Sequence, residues 1–152
     1  MTPATRRAVH LIRRWWGSLR ANEPSAADTD WAANFLLPGE RELFASMSTA
    51  DRSHAIVVAR RFLQRRPDAD RDHVAAALLH DVGKTRSDLS PGRRVLATIV
   101  GPRTERFRDY HEHEIIGLSM CRKAGSSEST ITLLEGRADA GIVESLRWAD
   151  DI

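Results

Sequence analysis

Val74-Ala75-Ala76-Ala77-Leu78-Leu79-His80-Asp81-Val82-Gly83-Lys84 is an apolar run that turns polar at its end. Its first six residues, three of them alanine, read as a helix with no solvent face, the kind that sits in the middle of an all-helical core. The run finishes by delivering an imidazole and a carboxylate to the interior. Neighbouring positions on a helix point about 100° apart, so His80 and Asp81 turn toward one point only near a helix end, and Gly83 is expected to supply that end. A buried His-Asp pair needs partners, and a divalent cation satisfies both.

Outward from this run the chain punctuates itself as helices. Ser48, with Asp51 three residues on, caps a helix from about Thr49 to Arg66 that Pro67 stops; Ile56, Val57, Phe62 and Leu63 are expected to share a face with His54. Asp70 or Asp72 starts the helix of the apolar run. Ser90-Pro91 opens a helix to Val100, and Gly101-Pro102 ends it. Thr104 to Ala124 is periodic through Phe107, Tyr110, Ile115, Leu118 and Met120, with Gly125 as its C-terminal cap. A short helix near Ser127 to Leu134 follows. The last begins at Asp139 and is expected to pack Ile142, Leu146 and Trp148 inward.

Upstream, residues 21–39 read as a linker with a helical piece around Trp31 to Leu37, closed by Pro38-Gly39, before a short helix from Glu40 to Met47. Residues 5–19 place Ala8, Leu11, Ile12, Trp15, Trp16 and Leu19 at helical spacing with arginine on the other face. Such a helix suits a membrane surface or an acidic partner. Its apolar stripe, however, has the width of a docking helix that packs on the domain or on a second protomer, which would make a homodimer. No segment alternates with period two. The fold class is therefore all-α, a helical bundle with an N-terminal amphipathic helix: a helical extension over 1–47 and one domain over 48–152.

Composition bounds the function. A chain of 152 residues, 41% hydrophobic and 29% charged, can bury a proper core. One cysteine, Cys121, excludes an intramolecular disulfide. No apolar stretch approaches the roughly 18 residues of a membrane span, and the arginine-studded N-terminus does not resemble a signal peptide, so a cytoplasmic address is expected. The formal charge of +2 is concentrated in the first twenty residues, where Arg6, Arg7, Arg13, Arg14 and Arg20 meet no acid. Nucleic-acid binding is not indicated for the chain as a whole.

The His-Asp doublet has company in a recognisable order. His54 in Asp51-Arg52-Ser53-His54, the doublet His80-Asp81 in Leu-Leu-His-Asp-Val-Gly-Lys, and Asp150 in Leu146-Arg147-Trp148-Ala149-Asp150 resemble the signature of the HD-domain metal-dependent phosphohydrolases. The resemblance covers roughly residues 48–152. It implies a helical HD fold in which His54, His80, Asp81 and Asp150 hold a divalent metal. Mixed imidazole and carboxylate ligands suit Mn, Mg, Fe, Co, Ni or Zn rather than a thiolate site. It also implies hydrolysis of a nucleotide or another small phosphorylated molecule by a metal-activated water.

The same resemblance gives catalytic roles to Asp81, Lys84 and His113 and a substrate contact to Lys84; Arg52, by its guanidinium, and His111, as the alternative to His113, are further expected substrate contacts. His113-Glu114-Ile115-Ile116-Gly117 matches, in register, a stretch of the family's two-metal branch. Where that branch places a later His, this chain reads Leu134-Glu135-Gly136-Arg137. One metal is therefore expected unless Glu135 substitutes. The Gly-Tyr-Pro stretch of the cyclic-dinucleotide branch is absent. Arg86, Arg93, Arg94, Arg103, Arg106 and Arg108 add guanidinium groups suited to phosphate. The alternative is a non-catalytic or degenerate module that binds a nucleotide or a protein partner, and the missing late His favours it.

Overall fold

The apolar run does form the central helix. The computed structural model describes residues 22–86 and 105–152, with side chains for 22–84 and 114–152. In chain order the described helices are α1 (Ala26–Ala33), α2 (Pro38–Ser46), α3 (Thr49–Arg65), α4 (Arg71–Leu79), a 3-10 turn (Val82–Arg86), α5 (Glu105–Lys123), α6 (Glu128–Leu134) and α7 (Ala140–Asp150). There is no strand among the described residues. The helices expected over 5–19 and 90–100 lie outside them.

Every residue from Val74 to Leu79 in α4 is at most 1% exposed. Helices α2, α3 and α6 surround it, and its three alanines let them approach closely. Local chemistry sets the ends of these elements. Ser48 Oγ accepts from Asp51 N at 3.1 Å and donates to its carboxylate at 2.7 Å, which starts α3 as the sequence leads one to expect. Asp70, Ser127 and Asp139 cap α4, α6 and α7 in the same way. After α5 the chain turns through Gly125 at φ 83°, with Gly125 N bonded to Arg122 O and Ser126 N to Cys121 O. That pair of bonds is the Schellman arrangement, and it repeats after α6 at Gly136.

Four expectations need correction. Pro38-Gly39 opens α2 instead of closing α1. Proline fits the first helical turn, and the Glu40 carboxylate accepts from Leu37 N at 2.8 Å in place of a capping hydroxyl. Helix α1 starts at Ala26 because Ser25 caps it, not near Trp31. Val57 is 46% exposed and Ile115 68%, because the inward stripes run through Ala55, Val58, Ala59 and Phe62 on α3 and through Gly117 and Cys121 on α5. Trp148 lies on the outer face, flanked by the Arg61 and Arg65 guanidinium groups at 4.5 and 5.3 Å from its ring, while Val143 and Ala149 point inward.

Helices α1 and α2 contribute Ala32, Leu36, Phe44 and Met47 to the same buried cluster as the later helices. Glu40 is fully buried on α2, where one carboxylate oxygen binds Leu37 N and Arg71. Burial, followed by the nearby Glu40 carboxylate, pushes the Cys121 thiol up to about 11. A thiol held there carries no thiolate at neutral pH and is no candidate nucleophile.

Gly39 touches the end of α5 so closely that an added Cβ would lie 2.2 Å from the Ala124 carbonyl oxygen. Backbone cannot yield as a side-chain tip does. Gly39→Ala is expected to cost roughly 1–3 kcal/mol in urea unfolding, the range for overpacking. Unaltered stability would show that α2 and α5 are not packed this tightly.

Candidate metal centre

Helices α3 and α7 run antiparallel and bring together residues 96 positions apart. His54, in the second turn of α3, reaches Asp150 in the last turn of α7, with Nε2 and Oδ1 2.9 Å apart. Further along the same pair, Arg65 meets Glu144 at 3.3 Å. Between these contacts Arg61 donates to the Ala149 and Trp148 carbonyls at 3.1 and 3.3 Å. A guanidinium on the last carbonyls of a helix C-terminus adds donors where helical partners run out and opposes the negative end of the dipole. Arg61 thus ties down the turn that carries Asp150, a role the sequence reading did not assign.

The doublet arrives from α4. The helix stops at Leu79, four residues before Gly83, and His80 keeps helical angles as its C-terminal cap. Asp81 then leads into the 3-10 turn, closed by Lys84 N on Asp81 O at 3.0 Å. Tightening from α to 3-10 is what turns two adjacent side chains toward one place. Gly83 has no positive φ; among the described residues only Gly125 and Gly136 do. Close approach of α5 to this turn depends on Gly117, since a Cβ there would lie 3.1 Å from Gly83 N.

The side chains converge. His80 Nε2 is 3.2 Å from Asp150 Oδ1 and 3.5 Å from Asp81 Oδ2, and Lys84 Nζ donates to Asp81 Oδ2 at 2.5 Å. Donor atoms of His54, His80 and Asp81 all lie within 4.8 Å of one another. His80 Nδ1 donates to Ala77 O at 2.8 Å, so a neutral His80 ring carries its lone pair at Nε2, the atom that faces the cluster. This is the orientation a metal-ligating histidine needs, with its outer nitrogen held by a carbonyl.

Charge is balanced here by mutual pairing. Burial opposes the His80 imidazolium, but the Asp81 and Asp150 carboxylates outweigh it and lift the pKa from its ordinary 6.5 to about 8. Burial pushes Asp81 up, yet His80 and Lys84 hold it below the usual carboxylate range. Asp150 is held well below that range, because its hydrogen bonds to His54 and His80 overcome burial.

The donor set fits a divalent ion. Two imidazoles and the Asp81 carboxylate have donor atoms within 4.8 Å of one another, and Asp150 Oδ1 accepts from both imidazoles at once. An ion about 2.0–2.2 Å from each donor spans at most about 4.4 Å between opposite donors, so the His54, His80 and Asp81 donors need close by only a few tenths of an ångström. Asp150, 41% exposed at its side chain, keeps one side open to a cleft, whereas His80 and Asp81 are 12% and 13% exposed. That cleft is lined by Lys84, Gly117, Leu118, Leu133 and Arg147 among others.

The remaining sequence candidates fall elsewhere. Arg52 is not among the cleft residues; it donates to the Ala45 and Met47 carbonyls at 3.2 and 2.8 Å and pairs with Glu23. His111 and His113 are on α5, and their side chains lie outside the described residues, as do those of Arg86, Arg93, Arg94, Arg103, Arg106 and Arg108. Glu135 reaches the cleft, but Arg122 and Arg137 grip its carboxylate and hold its pKa down. His73 pairs with the capping Asp70. No family model, curated protein or solved structure matches the chain. Among the described residues no helix is long and apolar enough to cross a membrane.

Because the folded-state pKa of His80 is raised, its pairing stabilises the metal-free protein fully below pH 6.5, and this contribution fades as pH rises through about 8. A ligating imidazole must shed that proton. Manganese affinity is therefore expected to climb as pH is raised from 6.5 to about 8, with proton release visible as a buffer-dependent calorimetric enthalpy. Affinity that stays flat across this window would contradict the geometry.

Proposed function

We propose that this chain is a metal-dependent phosphohydrolase of the HD type, acting on a nucleotide or another small phosphorylated molecule. One observation carries the reading. Residues far apart in sequence, His54, His80, Asp81 and Asp150, meet beside an open cleft with their donor atoms facing one another. Taken singly, each would pass as an ordinary polar side chain. Their order in the chain is the order the HD resemblance requires.

His54, His80, Asp81 and Asp150 would hold the ion. A divalent ion held by such ligands polarises a phosphoryl oxygen and lowers the pKa of water toward neutrality. The rest of the work belongs to the protein. Ala77 O fixes the His80 ring, and Arg61 fixes the turn of Asp150. Lys84 neutralises Asp81 and lines the cleft, so it places a cation where the phosphoryl group is received. Water adds to phosphorus, the ester P–O bond breaks, and the leaving oxygen departs with a proton. Leu118, Leu133 and Leu134 give the cleft an apolar wall that limits bulk water around the reaction. Both carboxylate oxygens of Glu135 are gripped by arginine, which favours one metal over two.

The test combines elemental analysis of purified protein with hydrolysis of phosphomonoesters in the presence of manganese. About one ion per chain and metal-stimulated release of phosphate are expected. Replacing outer groups around metal ligands already costs roughly 10–100-fold in affinity, so Asp150→Asn should lose at least that much, together with turnover. Asp151→Asn should lose neither, because Asp151 is exposed beyond the last helical turn. Metal binding without hydrolysis of any phosphoester would make the chain a binding module instead.

A further inference from the structure

The cleft beside the His-Asp cluster holds a cation without an employer. It encloses about 340 Å³, near the lower end of the roughly 300–1,000 Å³ range of small-ligand sites. His80, Asp81 and Asp150 bound it, Lys84 lies beside them, and Arg147 joins the lining one helical turn before Asp150. Residues three apart on a helix share a face, so Arg147 and Asp150 look into the same space. The guanidinium stands at the Gly136 turn, with Nη2 4.0 Å from where a Cβ on that glycine would be.

The other described arginine side chains are occupied. Arg52, Arg60, Arg65, Arg66, Arg71, Arg122 and Arg137 pair with carboxylates. Arg41 and Arg61 are bonded to backbone carbonyls. Arg147 alone among them has no hydrogen-bond acceptor among the described residues, and it is the arginine that faces the cleft.

We propose that Arg147 grips the phosphate of the substrate and that the cleft takes a compact phosphomonoester with an apolar or planar organic part. This rests on the metal-dependent reading above and goes beyond it in naming the substrate class and the residue that selects it. A phosphomonoester carries about −1.5 to −2 charge at neutral pH and three terminal oxygens, enough to meet Lys84, Arg147 and the ion together. A diester has one fewer terminal oxygen and a single charge. Guanidinium binds two phosphate oxygens at once, which fixes orientation as well as charge. Leu118, Leu133, Leu134 and Leu146 offer an apolar wall for the organic part. Glu114 adds a carboxylate to the lining, a neighbour that accepts a hydroxyl or amino hydrogen and repels a second phosphate.

The experiment is calorimetric titration of the manganese-loaded full chain with inorganic phosphate, phenylphosphonate, whose P–C bond resists hydrolysis, and dimethyl phosphate, with metal content and phenyl phosphate turnover measured in parallel. The wild type should bind phenylphosphonate more tightly than phosphate, and dimethyl phosphate at least about tenfold more weakly. Arg147→Ala should keep its metal and lose roughly 10–100-fold in affinity for both monoanionic-to-dianionic probes, the worth of a charged hydrogen-bond pair. Arg147→Lys should recover part of the loss, and Arg60→Ala, which removes a paired arginine elsewhere on α3, should match the wild type. Wild-type affinity in Arg147→Ala, preference for the diester, or no phosphate binding by the metal-loaded wild type would each overturn the proposal. Arg147-dependent binding without turnover would sustain it while removing the hydrolase reading. Turnover with an unchanged KM in Arg147→Ala would do the reverse.

Discussion

A single carboxylate oxygen holds the His-Asp cluster together. Asp150 Oδ1 accepts from both His54 and His80, and so joins the first half of α3, the end of α4 and the last turn of α7. The two imidazoles come from elements that pack side by side, with ring centres 5.7 Å apart. The third group comes from the last turn of α7. Arg61 braces that turn from the neighbouring helix by holding the Ala149 and Trp148 carbonyls.

The same arrangement explains why buried charge is tolerated. Placing His80 and Asp81 inside a helical core costs several kcal/mol per ion unless each is paired. Here imidazolium, ammonium and two carboxylates neutralise one another through Lys84, Asp81, His80 and Asp150 in sequence. A divalent ion taken up by these donors would displace the protons that now bridge the two imidazoles to Asp150, while Lys84 stays on Asp81. Such an exchange would couple metal affinity to pH.

Much of this was legible in the chain because local rules act locally. Ser48, Asp70, Ser127 and Asp139 each cap the helix that follows, and Gly125 ends α5 at a positive φ. The apolar run of α4 forecast its burial, and the HD resemblance led one to expect His54, the doublet and Asp150 side by side, where the fold brings them. What escaped depended on partners distant in sequence. Pro38-Gly39 reads equally well as a stop or a start until Glu40 is seen to cap Leu37. Trp148 fits an inward stripe until two arginines from α3 offer it a cation-π site on the surface. Arg61 and Arg147 carry no signal in a sequence rich in arginine. One is recognised by the carbonyls it holds, the other by the cleft it faces.

In the proposed centre, two imidazoles and two carboxylates from α3, α4 and α7 surround one divalent ion. X-ray absorption spectroscopy of the zinc-loaded protein tests this coordination sphere. Two imidazole nitrogens at about 2.0–2.1 Å beside carboxylate oxygens are expected, with one nitrogen lost in His54→Ala and the other in His80→Ala. A coordination sphere made only of oxygen, or one that neither substitution changes, would contradict it.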